Sequence, residues 1–235
     1  MKLLTIDTST LVLGVGLLDG RRVLGEVTTN LHKNHSVRLM PAIVQLMENL
    51  GLDAQELDGV AVASGPGSYT GIRIGFTTAK TIAWSRSIPL VTVSSLAALA
   101  MNGLRFPGGI VPLFDARRNR VYTGLYRRIG DEVTCAVEEQ VIDIDQWLEQ
   151  LEDQGPLLFL GEDAFRFQEQ IQQVLGDEAQ FGTGRENLVS AAHLGQLAVT
   201  RLEAGHVEGP EATPEYLQMT EAEAKWVSQQ RRGQG

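Results

Sequence analysis

The sequence has a single cysteine in 235 residues. One thiol cannot close an internal disulfide, so the fold does not rest on one. Cys135 sits between Thr134 and Ala136 in a strand-like run, where a buried core thiol is expected. Histidine is nearly as scarce, with four copies. His32 and His35 stand three apart, His193 and His206 are isolated, and no further ligands complete a zinc site around any of them. His35, just ahead of Ser36, reads as a helix-entry residue. Neither a GxSxG elbow nor an HExxH helix is present. No run approaches the roughly 20 apolar residues that a bilayer span requires. The apolar stretch of "MKLLTIDTST" ends at Asp7 and does not read as a secretory signal. A cytoplasmic protein without a membrane anchor is the expectation. Positive charge is also short: the formal net charge is −9 and the pI about 5.0. An acidic chain grips nucleic-acid phosphates poorly, so a role near nucleic acid would need a partner to supply basic surface.

What is present suffices for a sizeable core. The 43% hydrophobic content and the length suit one large domain or two small ones. "KLLTIDT" (2–8) reads as a buried strand ending in an acid. "LGVGLLD" (13–19) and "RVLGEVTT" (22–29) form a hairpin around Asp19-Gly20. A helix at 36–50, a strand at 57–64, a helix at 71–86, a strand at 89–95 and a short helical run to Met101 complete the first half. After the turn-rich "NGLRFPGG" the order recurs. Strands at 110–117, 120–129 and 133–143 are followed by a helix at 144–153, a strand at 156–162 and a helix at 164–175, and a helix at 190–205 closes the half. Two β-β-β-α-β-α halves, each opening on a strand with a terminal acid (Asp7, Asp115), indicate an α/β fold built by duplication. The predicted divisions are a first lobe at 1–101, a second at 102–205, and a polar tail at 206–235 that can pack back on the first lobe.

Three stretches carry the functional question. Asp7, Thr8, Ser9 and Thr10 follow the first strand, where an acid and hydroxyls suit a phosphate or Mg²⁺ site; a plain strand-to-hairpin turn fits as well. "SGPGSYTGIRIG" (64–75) follows a strand and opens a helix, the setting in which helix N–H groups bind anions, with Gly65, Gly67 and Ser68 as the cradle. It matches neither GxxxxGK[ST] nor GxGxxG. Gly71, Gly75 and Ala79 also fall four apart, forming a bare stripe that allows close packing. The third stretch is the 36–50 helix. Nine of the fourteen residues from Val37 to Leu50 are apolar and cover an arc of roughly 200°, where a surface helix needs little more than 100°. Burial on both sides and docking of a partner helix both account for the surplus, and Met40 and Met47 suit an adaptable contact. In "DARRNRVY" (115–122), Arg117 and Arg118 read either as a polar hairpin turn or as anion clamps facing a cleft between lobes.

Taken together, "LLTIDTST", "HSVRLMPAI", "GVAVASGPGSYTGIRIG", "TVSSLAALA", "PLFDARRNRVY" and "PEYLQ" resemble the TsaB family, formerly YeaZ, over nearly the whole chain. The resemblance implies the two-lobed actin-like ATPase (ribonuclease H-like) fold. It also implies a non-catalytic scaffold or activator in the complex that makes N6-threonylcarbamoyladenosine in bacterial tRNA. The catalytic paralogue TsaD, the ATPase TsaE and, through the complex, tRNA are the implied partners, and a homodimer can form without TsaD. No cofactor is required, although a nucleotide can lodge at the partner interface. The family's partners meet through the two first-lobe helices, which implicates Leu39, Met40, Ile43, Met47, Gly71, Ile72, Gly75, Ala79 and Ile82. The phosphate site at Asp7, Thr8, Ser9, Thr10, Gly65, Gly67 and Ser68 is then vestigial. "FLGEDA" places Glu162 where active relatives carry a glycine, and that carboxylate would repel a nucleotide. Other classes stay open: a small-molecule kinase of the same fold, or a metal-independent peptidase, for which no nucleophile is visible.

Overall fold

The structure, a computed structural model, describes residues 1–31 and 34–217; His32 and the chain after Leu217 lie outside the described residues. The first half forms β1 (Lys2–Asp7), β2 (Val12–Asp19), β3 (Arg22–Asn30), α1 (His35–Leu50), β4 (Gly59–Gly65), α2 (Tyr69–Arg86), β5 (Leu90–Ser94) and α3 (Ser95–Ala100). The second forms β6 (Gly109–Asp115), β7 (Arg120–Ile129), β8 (Glu132–Asp143), α4 (Ile144–Leu151), β9 (Leu157–Leu160), α5 (Gln168–Leu175), β10 (Ala179–Phe181) and α6 (Ala191–Glu203). The sheets run β3-β2-β1-β4-β5 and β8-β7-β6-β9-β10, so the halves match strand for strand. In each, an antiparallel meander is extended by two parallel strands.

The strand and helix that close the first half and the helix that closes the second were expected; the added strand is β10, the fifth of the second sheet. Only three residues long, β10 is too short to show a period of two. The helix expected at 164–175 begins as a 3-10 turn, Glu162–Phe167, and becomes α-helical only from Gln168. Cys135 is exposed, which corrects the expectation of a core thiol. It lies on β8, an outer strand paired only with β7, and such strands leave many side chains in water.

The helices divide by position. On the outer face of the first sheet, α1 and α2 cover Leu4, Ile6, Leu13, Val15 and Leu17. In the second lobe, α4 and α5 do the same over Val111, Leu113, Val121 and Leu125. The two remaining helices lie between the sheets. There α6 lies across β1, β2, β3, β4 and β5 of the first sheet, while α3 touches α6 and β6, β7 and β8 of the second. The inner faces of both sheets and both helices share one apolar cluster, including Leu3, Val12, Leu96, Leu99, Ile110, Phe114, Leu160, Leu194 and Ala198. Small residues allow the close approach. A β-carbon at Gly16 would stand 3.3 Å from the Ala191 carbonyl carbon, and one at Gly195 2.5 Å from Leu18 Cδ1. Thr5 Oγ1 donates to Ala191 O at 2.8 Å, which joins β1 to α6 across the seam.

Candidate functional site

The carboxyl ends of β1 and β4 meet the turn after β6 at a cleft of about 750 Å³ between the lobes. Ser9, Thr10, Gly67 and Ser68 of the expected phosphate site line it, whereas Asp7 and Thr8 are buried and Gly65 lies outside the lining. Arg117 and Arg118 line it from the second lobe, together with Arg120 and Glu162.

Thr8 and Ser68 of the expected phosphate site are engaged within the chain. Ser68 N donates to Ser9 O at 2.6 Å. Thr8 Oγ1 donates to Gly71 O at 2.7 Å, and the Ser68 hydroxyl caps α2 by accepting from Gly71 N at 3.3 Å. The glycines serve this closeness. A β-carbon would stand 2.1 Å from Ser9 O at Gly67, 2.1 Å from Thr8 O at Gly71 and 2.3 Å from Thr8 Oγ1 at Gly75. Thus the loop fits the β1–β2 turn against the start of α2, where an anion would otherwise sit.

Asp7 is fully buried. Its Oδ1 accepts from Ser9 N at 2.9 Å and Ser9 Oγ at 2.7 Å, while Oδ2 has no partner. Burial pushes its carboxyl above the usual range; the Ser9 bonds and nearby His35 pull the other way. His35 is the first residue of α1, as expected of a helix-entry residue, and its Nε2 lies 2.8 Å from Thr10 O. Glu162 accepts from Asn30 Nδ2 at 2.7 Å, so the residue expected to repel a nucleotide ties the lobes together. Asp115 accepts from Arg117 N at 2.8 Å and pairs with Arg166. His193 is also structural. Asn102 Nδ2 donates to Glu186 O and Leu188 O, which turns Oδ1 toward His193 Nδ1 at 2.8 Å. Burial keeps that imidazole's pKa below its ordinary value. Among the described residues no three His, Cys, Asp or Glu side chains form a group that could hold a metal. None of the described helices is long and apolar enough to cross a membrane.

The second candidate surface is the outside of α1 and α2. Here the structure corrects seven of the nine expected contact residues. Leu39, Ile43 and Met47 point into the lobe's own core. Gly71, Ile72, Gly75 and Ala79 are buried as well, and the glycine stripe faces Thr8 and Ile6 of this chain. The physical reason is that the first sheet's outer face needs cover, and α1 spends its best-spaced apolar residues there. Ile82 is half-buried and Met40 exposed. The surplus predicted for α1 is real but belongs to other residues: Val37, Met40 and Val44, spaced i, i+3, i+7, are 68%, 46% and 47% exposed. On α2 the outward residues are Arg73, Thr77, Thr81 and Trp84, and Trp84 is 85% exposed. Sequence reasoning passed over Trp84, although its i, i+4, i+7 spacing with Thr77 and Thr81 marks it as part of the polar face.

A family model described as "TsaD: tRNA N6-adenosine threonylcarbamoyltransferase" matches residues 22–226. The tRNA threonylcarbamoyladenosine biosynthesis protein TsaB of Bacillus subtilis (strain 168) is 45% identical over 232 residues, 98% of this chain and 100% of the relative. The structure of YeaZ from Pseudomonas aeruginosa superposes with a TM-score of 0.80 at 27% identity, covering 92% of this chain and 99% of that one. The ethanolamine utilization protein EutJ from Carboxydothermus hydrogenoformans superposes at 0.51 with 14% identity, covering 83% and 89%, and shares the fold alone. The duplicated lobes are those of the actin-like ATPases, and the chain belongs to the TsaB family, within the wider group that the TsaD model describes.

Proposed function

We propose that this chain is a non-catalytic scaffold and activator subunit in the formation of N6-threonylcarbamoyladenosine in tRNA, and that it binds and activates a TsaD-like catalytic paralogue. Its B. subtilis relative is named for that pathway. The observation that carries the reading is the exposed stripe Val37, Met40 and Val44 on α1; Trp84 on α2 is exposed as well. These are large apolar side chains left in water on the two outer helices of one lobe, and such patches mark contact surfaces. Pro41 lies within the same helix and cannot donate to the Val37 carbonyl. A TsaE-type ATPase joins the pair, tRNA is reached through the partner, and two copies can meet through the same stripe when the partner is absent. The chain works in the cytoplasm and needs no cofactor of its own; a nucleotide at the partner interface is compatible with this role. A kinase reading is less favoured, because Ser68 N and the Thr8 hydroxyl donate to backbone carbonyls and the Ser68 hydroxyl accepts from Gly71 N.

The test is the double variant Met40→Glu/Val44→Glu. Both positions are exposed, so the fold should survive, with a Tm close to the parent's. Charge in a contact that excludes water should abolish co-purification with the TsaD of the same organism and the modification made by the reconstituted system. The isolated chain should make no product from threonylcarbamoyl-adenylate and tRNA. Retention of the partner by the folded double variant would overturn the reading.

A further inference from the structure

Near the start of α1, Asp7 Oδ2 and His35 Nδ1 are buried and have no hydrogen-bond partner among the described residues. The rest of each group is held. Asp7 Oδ1 accepts from Ser9 N and Ser9 Oγ, which fixes the carboxyl. His35 Nε2 lies 2.8 Å from Thr10 O. A carbonyl oxygen only accepts, so Nε2 carries a proton and Nδ1 is the nitrogen whose state is open. Charge on His35 acts on the Asp7 carboxyl, so the two groups sense one another. Between them lies the β1–β2 turn, gripped at Ser9 by Asp7 and at Thr10 by His35.

The other elements around this end of β1 bring no charge to it. Gly14 of β2 pairs with Asp7, and a β-carbon there would stand 3.3 Å from Ala191 Cβ of α6 and 3.7 Å from Asp7 Cβ. From α2, Gly71 and Gly75 face Thr8. Arg38, the next turn of α1, donates to the Thr29 hydroxyl, and Glu162 of the second lobe accepts from Asn30 Nδ2. Burial raises the Asp7 pKa, so its carboxyl keeps a proton to higher pH than an ordinary one.

The number of protons on the two open atoms decides whether they match. With none, a carboxylate and an imidazole lone pair meet as two acceptors without a donor. With two, an O–H and an N–H meet as two donors without an acceptor. One proton, on either atom, gives a donor and an acceptor that bond directly or through a bridging water. We propose that Asp7 and His35 form a one-proton latch that seats the first turn of α1 on the β1–β2 turn, and that α1 holds Val37 and Met40 firmly in place only while that proton is shared. The consequence for partner binding rests on the function proposed above; the latch itself is tested on the free chain.

The test is amide hydrogen exchange of the full-length protein across pH 5–8.5, corrected for the intrinsic rate. The Leu39 amide, four residues after His35, reports opening of the first turn. Its protection should pass through a maximum and fall on either side by up to about tenfold per pH unit, the slope of a single proton. Asp7→Asn presents a fixed N–H to Nδ1 and should remove the alkaline fall. His35→Gln has no second nitrogen to protonate and should remove the acid fall. The Leu46 amide, near the far end of α1, should follow neither limb. The parental profile decides the matter even if one variant fails to fold. A parental profile without a maximum, or the same two-sided profile in either folded variant, would overturn the proposal.

Discussion

At the scale of single residues, Asp7 shows how a position can keep its identity and change its work. The acid at the end of β1 is visible in the sequence, and so is its suitability for a phosphate or Mg²⁺. The unpartnered Oδ2 and the closure of the site by Ser68 and Thr8 are not, because both depend on α2 approaching through Gly67, Gly71 and Gly75, far along the chain. Burial raises the Asp7 pKa, so its ionisation opposes folding. The contribution of Asp7 to stability is therefore greatest below the ordinary carboxylate pKa and is lost as pH rises through its folded-state value. In Asp7→Asn, Oδ1 can still accept from Ser9, and the charge is gone. Its Tm should exceed the parent's at pH 7, and the difference should shrink as pH is lowered. Calorimetry across pH 4–8 measures this, and a variant less stable at pH 7 would show that the ionised form is needed. Cys135 teaches a related lesson: its apolar neighbours read as core, but exposure is decided by which strand stands outermost.

At the scale of elements, α1 carries both the core and the candidate contact surface. Its apolar content was legible in the sequence, as was the excess over one stripe. The division was not, since Leu39 and Met40 are neighbours in sequence, yet one is buried and the other exposed. Only the docking angle on β2 and β3 separates them. The helix is bounded by local chemistry that is easier to read: Asn34 caps its start by accepting from Ser36 N at 3.1 Å, and Gly51 ends it with φ 63°. A pair of alanine substitutions should expose its two faces. Ile43→Ala removes buried methyl groups and should cost about 2–5 kcal/mol in unfolding free energy. Met40→Ala should change it by less than about 0.5 kcal/mol. Chemical denaturation of both variants checks this, and equal losses would mean that α1 is seated differently.

At the scale of the whole molecule, the duplication was the most legible feature, because two strand-acid openings and two three-strand meanders recur in order. The lobe boundary at residue 101 was read from composition, and it is a boundary in sequence more than in packing. The inner face of the first sheet, with Leu3, Val12 and Ala63, is covered by α6 from the far end of the second half. Residues 1–101 alone should therefore lack a cooperative thermal transition and should bind a hydrophobic dye. Residues 1–205 should melt in one transition, since both lobes share a core. A sharp, independent transition in the shorter fragment would contradict this account of the seam.

The position of α6 has a consequence for synthesis. A chain that leaves the ribosome from its amino terminus presents five strands with two outer helices, while their inner face waits for residues 191–203. The first half must stay open or shielded until translation is nearly finished, so native assembly begins late and proceeds across both halves at once.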